Sequence, residues 1–277
     1  MAILKRWTGA LWAPAKNVLY WTGAAWKERC MKYWNGSSWK VAATKELWVD
    51  DYVKGLWHFN ENAGTSSLDI SGNGNTCNWG GYAAAQRPSW TTGKNGSCLY
   101  FDGADRARIA DSVDWDFGAG SWTVECWMKT SVKVSPLGNN QVVFGAYHNG
   151  GNSSWWLGPR RTSGYAELSL ANNAGGDMGT IISTYNICDN VFNYVVGVVD
   201  RAAGKSRLYV NGYERGNATL SGNLDTCRPI DVGWYDVTTI GQPWNTYCYT
   251  GKTEDIRISK GIARSAAEIL SVWEANN

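Results

Sequence analysis

From Leu56 onward the chain is cut into short β-forming segments by glycine, asparagine and aspartate, and this punctuation restricts it to an all-β fold. Residues 56–59, 97–101, 122–128, 142–145, 166–170, 194–199 and 207–210 are rich in β-branched and aromatic residues, and no helical periodicity interrupts them. Asn211-Gly212, set between Arg207-Leu208-Tyr209-Val210 and Tyr213-Glu214-Arg215, is the strongest hairpin signal, because a type I′ turn needs positive φ at both central positions. With 32 glycines, 18 tryptophans and only 18% charged residues, 277 residues suffice for one large sandwich plus a small appendage. One helix is expected, at the end: Ser265-Ala266-Ala267-Glu268 forms a capping box, and Ile269, Val272 and Trp273 give it an apolar face.

The appendage is an internal repeat. Trp7-Thr8-Gly9-Ala10-Leu11-Trp12, Trp21-Thr22-Gly23-Ala24-Ala25-Trp26 and Trp34-Asn35-Gly36-Ser37-Ser38-Trp39 share the form W-[TN]-G-x-x-W. The glycine supplies a tight turn, so each pair of indoles can flank a short hairpin. A single hairpin is too small to fold alone, and stacking three of them, or gathering several chains around an axis, would bury more surface. Trp7, Trp12, Trp21, Trp26, Trp34 and Trp39 are therefore the expected anchoring residues of a docking or oligomerising foot over residues 1–46, with the main domain over residues 47–277. The foot holds eight Lys or Arg against two Glu, and the remainder 18 against 22 acidic residues, so the two parts should meet different partners. The foot lacks the dense Lys/Arg runs or recognition helix that nucleic acid needs, which makes an acidic protein surface its expected partner.

Seven cysteines (Cys30, Cys77, Cys98, Cys126, Cys188, Cys227, Cys248) show no zinc spacing, and their odd number leaves one free in a monomer. Cys77 and Cys98 are the pair to test for a disulfide. No apolar run reaches the length of a secretion signal or a membrane span, so synthesis in a cytoplasm, without membrane insertion, is expected.

Taken in order, residues 55–270 resemble a laminin-G-like, pentraxin-related domain of the concanavalin A-like kind. Gly55-Leu56-Trp57-His58-Phe59 is similar to the family's opening strand, Asp69-Ile70-Ser71-Gly72-Asn73-Gly74-Asn75 to its D-x-S-G-N-G-N loop, and Leu99-Tyr100-Phe101-Asp102-Gly103 to its A-L-x-F-D-G strand. Trp122-Thr123-Val124-Glu125-Cys126-Trp127, Leu208-Tyr209-Val210-Asn211-Gly212, Thr253-Glu254-Asp255-Ile256-Arg257-Ile258 and the segment 265–269 follow as its later strands and closing helix. The resemblance implies a two-sheet antiparallel jelly-roll sandwich. Separately, the tryptophan repeats resemble those of phage virion and tail-fibre proteins.

The Asp69 loop places oxygen donors on a backbone free to turn its carbonyls inward, which suits calcium, against the alternative of an ion-free Asx turn. By resemblance, Asp69 and Asn75 would share a structural Ca2+ with Glu254 and Asp255, although Glu254 departs from the family's aspartate. Glycanases of the wider superfamily display E-x-D-x-E on one strand, and that triplet is absent; Asp114 with Asp116, or Asp102 with Asp105, are the remaining carboxylate pairs. His58 and His148 stand apart from any nucleophile motif. Trp155, Trp156, Trp234, Tyr235, Trp244, Tyr247 and Tyr249 fall outside the clearest strands and could stack on sugars, with Asn149, Asn152, Arg160, Arg161 and Asn245 as polar partners; packing in the core is the competing role. The whole suggests a non-enzymatic phage virion surface protein, in capsid decoration or tail fibre. Its head would bind glycans and its foot would bind capsid or tail proteins, as a homo-oligomer such as a trimer. A glycoside hydrolase and a decoration protein without sugar ligand are the alternatives.

Overall fold

In a computed structural model, the β-forming segments pair into two eight-stranded antiparallel sheets that face each other. The structure describes residues 47–276, apart from residues 137, 147–153, 172–175, 223–229 and 233–247, together with the backbone of six strands in the first 41 residues. Those six are β1 (Lys5–Trp7), β2 (Trp12–Pro14), β3 (Val18–Trp21), β4 (Trp26–Arg29), β5 (Lys32–Trp34) and β6 (Trp39–Val41). They form three separate hairpins, and in each the two tryptophans of the repeat lie directly opposite: Trp7 with Trp12, Trp21 with Trp26, Trp34 with Trp39.

The head continues with β7 (Val53–Trp57), β8 (Ser66–Ser67), β9 (Cys77–Asn78), β10 (Ser89–Thr92), β11 (Ser97–Asp102), β12 (Ala107–Ile109), β13 (Trp122–Lys129) and β14 (Phe144–Ala146). It is completed by β15 (Ser154–Pro159), β16 (Tyr165–Ala171), β17 (Ile181–Asn186), β18 (Asn193–Asp200), β19 (Lys205–Val210), β20 (Tyr213–Thr219), β21 (Ile230–Val232), β22 (Thr250–Lys260) and α1 (Ala266–Ala275). Sheet I runs β10-β11-β22-β13-β18-β19-β20; sheet II runs β17-β16-β15-β14-β21-β12-β9-β8. In sheet I the long β22 changes partner along one edge, pairing with β11 through residues 250–253 and with β7 through residues 256–259. The switch falls at Glu254-Asp255, where Asp255 takes φ +52°.

Alternation decides which side chains meet between the sheets. In β13, Trp122, Val124, Cys126 and Met128 point inward while Trp127 points outward; in β16, Ala166, Leu168 and Leu170 point inward. The aromatic centre is continuous: Phe117 stacks on Trp122 at 4.6 Å, Trp122 lies 5.5 Å from Trp155, and Phe144 meets Trp155 edge-on at 5.6 Å. Truncating any one of these rings would cost about 3–5 kcal/mol.

The expected hairpin at Asn211-Gly212 forms, with φ of 55° and 84°. The capping box forms as well, Ser265 Oγ accepting from the Glu268 amide while the Glu268 carboxylate accepts from the Ser265 amide. Cys77 and Cys98, the pair to test for a disulfide, are not joined: Cys77 points into the interior from sheet II, and Cys98 sits in sheet I beside the Gly93 turn and the Glu254 carboxylate. They were neighbours in sequence order only. Among the described residues no helix is long and apolar enough to cross a membrane.

Candidate functional site

A two-sheet sandwich has two outer faces, and here they are treated differently. The outer face of sheet I is roofed: Leu47, Trp48 and Val49 together with Ile269 and Val272 of α1 pack on Trp127, Tyr194, Val196, Val198 and Tyr209. Beneath that roof lies a buried ionic network. Arg257 Nε donates to Glu125 at 2.7 Å, Tyr194 donates its hydroxyl to the same carboxylate, and Arg257 Nη1 reaches the Trp48 carbonyl at 2.9 Å. Arg264 pairs with Asp50 at 2.9 Å, and although burial opposes it, the Arg264 and Arg257 charges hold the Asp50 carboxyl below its ordinary range. This network fastens the segment that enters the head, and its groups are committed to one another.

The outer face of sheet II carries no such apolar roof among the described residues. Strand alternation directs Tyr165, Glu167 and Ser169 of β16, Trp156 and Gly158 of β15, Ile182 of β17 and Arg108 of β12 toward this face, since their neighbours along each strand fill the interior. Tyr165 and Ile182 are 37% and 39% exposed, whereas Glu167 and Trp156 are each 6% exposed. Glu167 lies opposite Gly158, and Trp156 lies opposite Ser169, which makes Glu167 and Trp156 diagonal neighbours at about 7–8 Å. Gly158 has a packing reason to be glycine: a Cβ there would sit 2.0 Å from the Gln141 carbonyl oxygen, because the segment 141–142 crosses it. That segment is held in turn by Gln141, whose side-chain oxygen accepts from the Thr250 amide at 2.7 Å.

Glu167 is the unusual group on this face. Burial pushes its carboxyl up to about 7, against the pull of Arg160 and with the push of Asp177. Its Oε2 is buried without a hydrogen-bond partner. The nearby Arg160 turns its Nε to Thr162 Oγ1 at 3.3 Å, and Asp177 spends its carboxylate on the amides of Gly179 and Thr180. Sequence reading had no means of singling out Glu167, since a glutamate alternating with apolar residues in a strand looks like any solvated outward position.

Of the aromatic residues expected at a binding rim, Trp155 and Tyr249 are core residues. Trp155 points inward among Phe117, Trp122 and Phe144, and Tyr249 is fully buried near Phe101 with its hydroxyl donating to the Lys252 carbonyl at 2.8 Å. The doubled tryptophan is thus split by strand alternation, Trp155 inward and Trp156 outward. Trp234, Tyr235, Trp244 and Tyr247, like Asn149, Asn152 and Asn245, lie outside the described residues. Arg161 is drawn to the 138–140 turn through Asn140 and the Gly138 carbonyl. Asp114 is part of a short helical turn, bonded to Asn75 and Ser112, and Asp105 accepts from the Asp102 amide, so these carboxylates support turns.

The residues expected to share a calcium ion do not gather as one donor set. Asp69 accepts from three amides, those of Leu56 and Ser71 on Oδ1 and Asn75 on Oδ2, and the Asn75 side chain donates to the Lys54 carbonyl and to Asp114. Glu254 accepts from the amides of Lys94 and Asn95, and burial first, then the Asp255 charge, raises its carboxyl to about 7. Asp255 pairs with His58, leaving its buried Oδ2 as the one orphaned oxygen of the four residues. Oxygens ringed by N–H donors present the wrong surroundings to a cation, and no cluster of three His, Cys, Asp or Glu suited to a metal exists among the described residues. What joins the early loop to the late strand is β7 itself, held by Asp69 at Leu56 and followed by His58 at Asp255.

Comparison with known proteins agrees with this architecture. A family model described as the Concanavalin A-like lectin/glucanases superfamily matches residues 101–270. No curated protein matches the sequence. Among solved structures, the binding domain of Paraclostridial Mosquitocidal Protein 1 superposes with a TM-score of 0.62 at 13% identity, over 80% of this chain and 52% of that one. Domain 4 of an extracellular arabinanase from Geobacillus stearothermophilus, solved with arabinotriose, superposes with a TM-score of 0.57 at 18% identity, over 79% of this chain and 97% of that one. The botulinum neurotoxin serotype G binding domain gives 0.58 at 16%, over 79% of this chain and 50% of that one. The chain thus spans about half the length of the two toxin domains, and at these identities the likeness is one of fold.

Proposed function

The chain belongs to the concanavalin A-like lectin/glucanases superfamily, and from that premise we propose that its head is a non-catalytic glycan-binding module carried on an anchoring foot. The observation that carries the reading is the asymmetry of the two outer faces: sheet I is closed by α1 and residues 47–49, while the outer side of sheet II leaves Tyr165 and Ile182 exposed, with Trp156 and Glu167 buried beside them. An exposed aromatic ring such as that of Tyr165 offers the apolar face of a sugar a surface to pack on, with its own hydroxyl beside it for the sugar's hydroxyls. The arabinanase domain solved with arabinotriose supports the same use of the fold. A glycan array probed with the isolated head, residues 47–277, tests it; specific saccharide hits are the expected result, and a blank array refutes it.

The foot supports the second half of the proposal. Three hairpins with tryptophans in the same register are each too small to be stable alone, so they need a covering partner. We place that partner in a phage particle, on capsid or tail, with the chain present as an oligomer at the virion surface. Deleting residues 1–46 should abolish incorporation into particles and leave a folded, monomeric head; a truncated chain that still assembles refutes the anchoring role.

A hydrolase is the second reading, favoured by the contrast between Glu167, raised to about 7, and the exposed Asp177, which amide hydrogen bonds lower although slight desolvation opposes them. Release of reducing sugar from a bound polysaccharide, lost on Glu167→Gln, would decide for it. Against it stands the commitment of Asp177 to its turn.

A further inference from the structure

Resting on the anchoring reading above, we infer that the face of the three N-terminal hairpins opposite their tryptophans docks on an acidic protein surface, through Arg6, Lys27, Arg29 and Lys40. Strand register carries the inference. Residues directly opposite across an antiparallel pair share a face, and the face alternates at every step along a strand. In the first hairpin Trp7 pairs with Trp12, so the adjacent pair, Arg6 with Ala13, lies on the other face. In the second, Trp21 pairs with Trp26; Tyr20 with Lys27 and Val18 with Arg29 fall on the other face, and Leu19 with Glu28 returns to the tryptophan side. The third repeats the arrangement, with Trp34 and Trp39 on one face and Tyr33 and Lys40 on the other.

Each hairpin therefore has a tryptophan face and a cationic face. Glu28 lies on the tryptophan side, so the opposite faces carry four cations and no acidic residue of the six strands. Solubility alone does not ask for this, because interspersed charges of both signs serve it as well. Burying indole is the larger gain, so the tryptophan faces are the ones that gather the hairpins or the copies, and gathering them leaves the cationic faces outward. The kind of partner follows from spacing. Duplex nucleic acid carries one charge per about 1.7 Å of axis and is held by neutralising many adjacent phosphates, whereas each hairpin offers only one or two cations on this face. Tyr20 and Tyr33, directly opposite Lys27 and Lys40, add the residue type that protein interfaces favour, an apolar ring with a hydroxyl that can donate to a carboxylate.

The test measures association of the full chain with immobilised poly-L-glutamate, with duplex DNA and phosphatidylglycerol vesicles as the competing anionic surfaces. One variant combines Arg6→Gln, Lys27→Gln, Arg29→Gln and Lys40→Gln; its charge-matched control combines Lys5→Gln, Lys16→Gln, Lys32→Gln and Lys45→Gln. Poly-L-glutamate should be the preferred surface. The first variant should bind it at least about tenfold more weakly, mainly through slower association, since exposed ion pairs worth about twofold or more each compound over four residues. The control should stay within about threefold of wild type. The swap Arg6→Lys, Lys27→Arg, Arg29→Lys and Lys40→Arg keeps every charge and should restore binding, and hydrogen exchange of the hairpin amides shows whether the strands persist; if the fourfold glutamine variant loses them, Lys27→Gln with Lys40→Gln takes its place. Equal loss in variant and control, preference for DNA or vesicles, or no binding to poly-L-glutamate overturns the docking face. The anchoring reading is decided separately by truncation of residues 1–46, so either can fail without the other.

Discussion

Replacing Glu167 with glutamine should stabilise the protein at alkaline pH and do little at acid pH. The carboxyl rises from an ordinary value of 4.5 to about 7 in the folded state, chiefly through burial. Because the folded form holds its proton more tightly than the unfolded chain, this group leaves stability untouched below pH 4.5, erodes it between 4.5 and about 7, and exacts its full cost above that. At about 1.4 kcal/mol for each tenfold change in proton affinity, the cost above pH 7 is about 3 kcal/mol. Glutamine fills the same space without a charge to desolvate, so at pH 8 the variant should melt about 6–12 °C above wild type, since a domain of this size gains about 2–4 °C per kcal/mol. At pH 4 the two melts should nearly coincide. Differential scanning calorimetry at the two pH values measures the difference directly. Equal shifts at both, or a variant less stable at pH 8, would show that Glu167 already has a good partner in the fold.

Arg257→Met should lower stability by about 3–5 kcal/mol in denaturant titration, as it leaves Glu125 charged and buried, and adding Glu125→Leu should restore much of the loss. Asp69→Ala deprives three amides of their acceptor and should cost at least about 2 kcal/mol by the same assay. Exchanging millimolar calcium for chelator should leave the melting temperature unchanged, because the Asp69 and Glu254 oxygens are already taken by amides; a large drop on chelation would show that a cation orders them.

Much of the architecture could be read from local signals. The Asn211-Gly212 turn, the Ser265 capping box, the run of short strands and their likeness to the laminin-G-like order all depend on neighbours in the chain, and each is found where expected. The pairing of tryptophans across each N-terminal hairpin follows from the same local logic, since the four residues between them make the turn.

The site did not yield to that reading, for reasons that belong to tertiary structure. Strand phase sent Trp155 between the sheets and Trp156 to the outer side of sheet II, where it is buried all the same, a distinction invisible in a doubled residue. The partner switch of β22 at Asp255 brought His58 to that carboxylate across the whole length of the head, while Asp69 closed its own loop on amides. Glu167 gained its character only when the sheet buried it. Sequence determines what a residue can donate or accept through its own chemistry and its near neighbours; whether that capacity is spent inside the fold or left over for a ligand depends on burial, which is a sum over residues distant in the chain.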